Sequence, residues 1–415
     1  MTTSERGDAI AYLAPELPAL SATFVYEELL RLERRGYKVI PVSVQRPVAA
    51  VRDQAALAAR TVCLYDGPPW MTALRGMVAL TGFGVRTGHA LALLLGDMFE
   101  CGPLRLISWK LAYQFLAAAT LGRHLQREGC RHLHIHFAHT PTQIGMYASA
   151  LSGVPFTVTA HANDIFERGL LLEKKAARAT RLLTISEFNQ RFLESLGIPS
   201  ERLGVVRCGA TFQSSSPSTA PPADGTLRIG TLGRMVEKKG FDVLLRAVAA
   251  CRRRGRRIQL RVAGDGPLRA ELGETARTLG ISDVVHFDGS LPHSEIAAWM
   301  RELDMFVLAC KKDRHGDMDG IPVVLMEAMS QSIPVVSTRI SGIPELVVDC
   351  VTGLLSEPGD ADDLAAQIER LADDAQLRAQ LIAAARTHVA LEFDPERNLD
   401  RLVAQFAAPL AVIGP

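Results

Sequence analysis

The 415-residue chain predicts an α/β architecture of two doubly wound, Rossmann-like parallel sheets. Three observations carry this. Short β-rich apolar runs alternate with stretches of helical periodicity, the pattern of strands buried on both faces and covered by crossover helices. The length exceeds what one hydrophobic core usually sustains, and 48% of the residues are hydrophobic, enough for two cores. Between the halves lies SSSPSTAPPADG (214–225), proline-containing and rich in small polar residues, which reads as a linker.

The elements follow in order. Strands are expected at 10–13, 38–44, 62–65, 132–137, 156–159, 181–184 and 203–206, forming a first domain over 1–213. Beyond the linker, strands at 227–232, 259–263, 284–287, 305–309, 334–338 and 353–355 alternate with helices at 241–251, 268–279, 294–303, 322–329 and 362–372. They form a second domain over 226–392 that includes a further helix at 377–391; a last helical segment, 395–408 within 393–415, is expected to cross back to the first domain. Ligands of open parallel sheets sit at the carboxyl ends of the strands. The expected site is therefore the cleft between the two domains. Residues 70–125, rich in Leu, Ala and Gly with interspersed Arg and Lys, are expected to pack as helices on the first core. The alternative is an apolar face resting on the inner surface of a membrane.

Composition narrows the function. Forty-six basic and 45 acidic side chains leave a net charge of +1, so no global charge calls for nucleic acid. Seven scattered cysteines without a C-x-x-C pair fit reduced thiols better than a disulfide framework or zinc site. The polar start MTTSERGDAI lacks an apolar signal core, and no apolar run approaches a spanning helix, so a cytoplasmic protein is expected.

The chemistry concentrates in the second half. In DGIPVVLME, Asp319 stands just before a helix opened by Pro322 and Glu327 stands more than one turn inside it. At about 1.5 Å per residue the two acids are roughly 12 Å apart. That is too far for an acid/base pair on one bond and suits a grip on the two ends of an elongated ligand such as a nucleotide sugar. After the strand at 227–232, Gly233-Arg234 and Lys239-Gly240 place a forked and a mobile cation on one loop, where they can converge on a diphosphate. An ordinary basic surface loop is the alternative. Gly264-Asp265-Gly266-Pro267 reads as a tight turn near the ligand, and Ser341-Gly342-Ile343-Pro344-Glu345 as a turn offering backbone N–H groups to a phosphate, with a plain capped turn as the alternative.

Taken in order, GR-x(4)-KG, GDGP, D-G-I-P-x(4)-E and SGIPE, with PALSATF (18–24), HIHFAHTPTQIG (134–145) and TAHANDIF (159–166) before them, resemble the retaining glycosyltransferases of the GT-B fold, family 4. In detail the chain is similar to bacterial exopolysaccharide and colanic-acid-type members. The resemblance implies that Arg234 and Lys239 hold the donor pyrophosphate and stabilise the leaving group. It implies that Glu327 binds the ribose hydroxyls and that Asp319, where many members carry Glu, meets the donor sugar. His161 would line the sugar and phosphate from the first domain. Gly233, Gly264, Gly320, Ile321, Pro322, Gly342 and Ile343 would line the donor site, with Ser21, Thr23 and His136 on the acceptor side. The activity implied is transfer from a nucleotide-diphosphate sugar to a glycan, lipid-linked or small-molecule acceptor with retention of configuration. No cofactor and no metal are expected. Asp317-Met318-Asp319 matches a D-x-D metal motif in letters but abuts the helix motif. The other readings are a GT-B epimerase or hydrolase on the same donor, or a non-catalytic GT-B scaffold in a polysaccharide assembly complex. A nicotinamide dehydrogenase lacks its G-x-G-x-x-G.

One further pattern invites a metal. His132, His134 and His136 alternate along a strand and share one face, with His139 after it. The expected role is a polar strand end near a cleft rather than a Zn²⁺ or Ni²⁺ site.

Overall fold

The computed structural model describes residues 9–19, 22–47, 54–167, 169–209 and 225–406. Ser21, the 214–224 part of the expected linker and the end of the last expected helix (407–408) lie outside them. Two sheets organise the chain. The first comprises β1 (Ala9–Glu16), β2 (Lys38–Gln45), β3 (Val62–Cys63), β4 (Cys130–His136), β5 (Phe156–Ala160), β6 (Arg181–Thr184) and β7 (Leu203–Val205), in the spatial order β3-β2-β1-β4-β5-β6-β7. The second comprises β8 (Leu227–Leu232), β9 (Ile258–Ala263), β10 (Val285–Gly289), β11 (Met305–Val307), β12 (Val335–Thr338) and β13 (Leu354–Ser356), in the order β10-β9-β8-β11-β12-β13. Every pairing within both sheets is parallel. The strand order reverses at β1/β4 and at β8/β11, which are the topological switch points where such sheets open a crevice.

The strands are legible because they are buried on both faces. β4 is the informative case. Its sequence CRHLHIH is buried from His132 to His136. Leu133 and Ile135 feed the apolar core on one side, and the three histidines line the other. Two strands, β3 and β11, are each two residues shorter than expected. The chain leaves the sheet after β3 at Asp66-Gly67-Pro68-Pro69, with Gly67 at φ +98°. β11 stops at Val307, although the Leu308 N–H still reaches the Val336 carbonyl at 3.1 Å. Pro322 is the N-cap, not the first residue, of the helix Val323–Ser330; its backbone is extended (ψ 122°) and its carbonyl accepts the Leu325 N–H.

The described residues fall into two compact units, one drawn from Met1–Ile185, Gln190–Val206 and Leu399–Pro415, the other from Ser186–Asn189 and Arg207–Asn398. In the first, Leu399 and Leu402 of the helix Pro395–Phe406 are buried among Tyr12, Val25, Leu29 and Leu183. The helices Pro69–Leu80, Val85–Cys101 and Leu106–Arg127 also belong to this unit; Ala90 and Leu94 anchor the second and Leu111 and Phe115 the third in its core, and Ala79 and Leu80 of the first pack against it. Gly76 explains the closest of these packings, since a Cβ there would lie 2.3 Å from the Leu116 carbonyl oxygen. Among the described residues, no helix is long and apolar enough to cross a membrane.

Candidate active site

In the second unit the candidate residues gather at the β8/β11 switch point. The chain leaves β8 through Gly233-Arg234, forms one 3-10 turn at Glu237–Lys239 and enters the helix Phe241–Arg253 through Gly240. Gly240 adopts φ +65°, and a Cβ on it would lie 1.8 Å from the Ala309 carbonyl oxygen. Only glycine lets the lysine loop lie this close to the end of β11, where the Lys311 N–H donates to the Lys238 carbonyl at 2.9 Å. The lysines then meet the two acids of D-M-D. Lys239 Nζ lies 2.6 Å from Asp319 Oδ2, with the two side chains 16% and 15% exposed. Lys238 Nζ lies 2.7 Å from Asp317 Oδ2 and 3.5 Å from Asp319 Oδ1. The Cys310 thiol donates to Asp319 Oδ2 at 3.6 Å.

This pair is electrostatically locked. Burial opposes the charge on Lys239, but the Asp319 carboxylate outweighs it and holds the ammonium above its ordinary value. Burial likewise opposes the charge on Asp319, yet Lys239 and then Lys238 keep its carboxyl below the usual range. Cys310 is pushed far up by burial and by the Asp319 charge, so it is a neutral thiol. Arg234 is different. It is exposed, and among the described residues its side chain has no hydrogen-bond or ion-pair partner.

The neighbouring loops are packed on each other. A Cβ at Gly264 (φ +111°) would lie 2.1 Å from the Gly233 carbonyl oxygen, and the Met235 N–H donates to the Asp265 carbonyl at 2.8 Å. A Cβ at Gly342 would lie 2.8 Å from Ile321 Cγ1, so the DGIP and SGIPE turns touch. The side chains of Ile321 and Ile343 and the residue Gly320 are buried. Glu345 accepts the backbone N–H groups of Glu187 at 3.0 Å and Phe188 at 2.7 Å, and an N–H of Arg207 at 3.0 Å. Glu327 is half-buried, within the helix Val323–Ser330.

In the first unit a polar array sits at the carboxyl ends of β1 and β4. His136 Nε2 lies 3.0 Å from Glu28 Oε1 and 3.3 Å from the Tyr12 hydroxyl, while its Nδ1 lies 3.3 Å from His161 Nε2. Tyr12 donates to Glu28. His161 is the N-cap of the helix Ala162–Phe166, and its N–H donates to Asp164 Oδ2 at 2.9 Å. Phe24 and Phe137 flank its ring, with centroids 4.9 and 4.5 Å away. Deeper in, His132 Nε2 and His134 Nδ1 both bond Thr157 Oγ1 at 2.8 Å, and Phe406 lies against both rings. Among the described residues, the three potential metal ligands whose donor atoms lie within 4.8 Å of one another are Glu28, His134 and His136. The row of His132, His134 and His136 does not form that group: His132 lies outside it, and its Nε2 shares Thr157 Oγ1 with His134.

Burial pushes His132 down to about 3 and holds His134 and His161 well below the ordinary histidine value. The unfolded chain takes up protons near pH 6.5 and the folded one does not, so folding stability falls as pH drops below that value. Urea unfolding at pH 7 and 5 is expected to show a loss of at least about 2 kcal/mol, each histidine supplying up to about 1.4 kcal/mol per pH unit. Equal stability at the two pH values would contradict the buried, neutral rings.

Comparison with known proteins decides what this arrangement belongs to. The model of glycosyl transferases group 1 matches residues 217–388, and that of glycosyltransferase family 4 matches 100–212. An Escherichia coli protein assigned to colanic acid biosynthesis as a glycosyltransferase is 30% identical over 406 residues, 93% of this chain and 96% of its own length. The chain belongs to the family 4 glycosyltransferases. The Erwinia amylovora amylovoran biosynthesis glycosyltransferase is 36% identical over 59% of this transferase and 61% of its own length. The Anabaena protein Alr3699/HepE, crystallised with UDP-glucose, superposes with a TM-score of 0.71 at 18% identity, covering 96% of the transferase and 99% of that chain. The shared architecture is GT-B.

Within the family 4 transferase, the structure thus brings Arg234, Lys239 and Asp319 to one sheet edge of the second unit. It gathers His136 and His161 at one edge of the first. Thr23 opens the helix Thr23–Arg34 but is not part of the hydrogen-bonded array. Sequence reasoning passed over Tyr12 and Glu28, and read Glu345 only as part of a phosphate-facing turn. Glu28 left a usable signal: it falls beside the buried stripe Val25, Leu29 and Leu32, where a carboxylate needs a partner. The role of Glu345 left no signal, since its partners, two backbone N–H groups and the Arg207 guanidinium, lie more than a hundred residues away in sequence.

Proposed function

We propose that this glycosyltransferase moves a sugar from a nucleotide-diphosphate donor to a glycan, lipid-linked or small-molecule acceptor, with retention of anomeric configuration and without a metal or other cofactor. One observation carries the reading: Lys239, held as an ammonium by Asp319, lies on the same loop as Arg234, whose guanidinium has no partner among the described residues. Breaking a glycosyl–phosphate bond places negative charge on the departing diphosphate. A fixed cation and a free guanidinium meet that charge without reorganisation. Glu327 would hold the ribose. Asp319 would orient Lys239 and face the donor sugar. The acceptor hydroxyl would enter at the Tyr12, Glu28, His136 and His161 array, which holds both donors and acceptors of hydrogen bonds. Retention follows from attack on the leaving-group face, with a phosphate oxygen taking the proton. The polymer-biosynthesis relatives and the UDP-glucose held by the Anabaena protein support this class of donor and acceptor. The site of action would be the cytoplasmic face of a membrane.

The test is a thermal-shift screen of UDP-, GDP- and dTDP-sugars, because a ligand that binds only the folded state raises apparent stability. The stabilising donor is then assayed for transfer. Arg234→Ala is expected to keep the fold and lose on the order of tenfold or more in donor affinity. Unchanged binding and turnover in this variant would remove Arg234 from the mechanism. Release of free sugar at the full rate without acceptor would mark a hydrolase.

A further inference from the structure

The exposed large apolar side chains of the transferase are not scattered. Most of those among the described residues fall between Trp70 and Trp109: Trp70, Leu74, Met77, Val78, Val85, Leu91, Leu95, Phe99, Leu104, Leu106 and Trp109. The helices that carry them are apolar on both faces. In Val85–Cys101, Ala90, Leu94, Asp97 and Cys101 face inward, while Leu91, Leu95 and Phe99 form a second stripe at four-residue spacing that faces out. In Pro69–Leu80, Thr72 and Gly76 are buried and Trp70, Leu74, Met77 and Val78 are exposed. Leu104, between the second and third helices, and Leu106, the first residue of the third, are 92% and 88% exposed. A surface helix in contact with water alone carries polar residues on its outer face. Patches of this kind mark binding surfaces.

The charges around the patch select the partner. From 67 to 110 the chain carries Arg75, Arg86, Arg105 and Lys110, and only two acids, Asp97 and Glu100. Asp97 is buried and held by Arg178 at 2.6 Å and Tyr147 at 2.7 Å. Glu100 is paired with Lys174. Among the described residues, Arg105 and Lys110 have no ion-pair partner. The exposed surface therefore presents uncompensated positive charge among leucines, phenylalanine and tryptophans, which is the composition of an element that lies in the lipid interface rather than across it.

We propose that the face built by residues 69–110 docks on an anionic lipid bilayer, with Trp70, Phe99, Leu104, Leu106 and Trp109 entering the headgroup region and Arg105 and Lys110 contacting lipid phosphates. This goes beyond the transfer reaction and does not depend on which donor is used. It places the first unit, with its acceptor-side array, at a surface from which a lipid-linked acceptor is reached.

Tryptophan fluorescence and vesicle sedimentation test it with the full chain. The transferase has three tryptophans, and Trp299 is buried in the second unit, so an emission shift reports Trp70 and Trp109. Vesicles of phosphatidylethanolamine and phosphatidylglycerol are expected to pellet the protein, shift its emission to the blue and allow quenching by brominated lipid; vesicles of phosphatidylcholine alone are expected to bind it far less. Leu104→Ser with Leu106→Ser, and separately Arg105→Glu with Lys110→Glu, are each expected to weaken binding on the order of tenfold or more while circular dichroism and soluble donor binding stay unchanged. Absence of sedimentation with anionic vesicles overturns the proposal. So does binding that neither double variant weakens. A lipid-free dimer that the Leu104→Ser, Leu106→Ser variant dissociates, without vesicle binding by the parent, assigns the face to a second copy instead and equally overturns it.

Discussion

Lys239→Met is expected to lose transfer by about 10²–10³-fold, the scale of removing one preorganised charge-stabilising donor. The same change leaves the Asp319 carboxylate covered and without its nearest counter-charge, which ordinarily costs about 3–5 kcal/mol. Lys238 Nζ, 3.5 Å from Asp319, offsets part of that cost. Activity and stability must therefore be separated. The double variant Lys239→Met, Asp319→Asn is expected to recover most of the lost stability in urea unfolding and none of the lost turnover. If turnover returns together with stability, the pair is an element of the fold and the leaving-group role passes to Arg234 alone. The pH dependence has a definite sign. Asp319 titrates below its unfolded value, so its share of the stability is present above roughly pH 3.9 and disappears as pH falls through the lower folded value.

Gly240→Ala is expected to be among the most destabilising single-methyl additions in the chain. The added carbon would sit 1.8 Å from the Ala309 carbonyl oxygen, on a residue whose φ of +65° already disfavours a side chain. Backbone cannot yield as a side chain tip can. Strain and overpacking together put the cost at about 3–5 kcal/mol. Gly255→Ala is the matched control, since Gly255 also has positive φ (+88°) but no atom within 4 Å of the new carbon. Its cost is expected to be about 1 kcal/mol. Comparable melting temperatures for the two variants would show that the lysine loop does not rest on the end of β11. Because Gly240 directly follows Lys239, the first variant is also expected to lose activity beyond what its stability predicts.

These residues also show where the sequence was readable. Strands buried on both faces announce themselves as short apolar runs, which is why each of the thirteen strands in the two sheets overlaps an expected one. The loop glycines were legible as turns but not for their reasons. Gly264 is glycine because the Gly233 backbone lies against it, a contact between two loops separated by a whole βα unit. The ion pairing of the D-M-D acids was hidden for the same reason. Whether Asp319 faces a ligand or a lysine depends on how β8 and β11 align at the switch point, not on any spacing along the chain. The β4 histidines gave period-two geometry, yet their division between Thr157 and Glu28 required the neighbouring strand and helix to be placed first.

The exchange of short segments between the two units has a consequence for how the protein can be taken apart. Leu399 and Leu402 complete the core around Tyr12, while Glu345 and its partners tie 186–189 to the second unit. A cut anywhere in 210–224 would yield two polypeptides, each carrying a piece that belongs to the other and lacking one of its own. The proline-rich stretch is thus a seam in composition and not in cooperativity. Halves of this chain made for crystallography or domain swapping would need 399–406 grafted onto the first piece to cover Tyr12 and the histidines of β4.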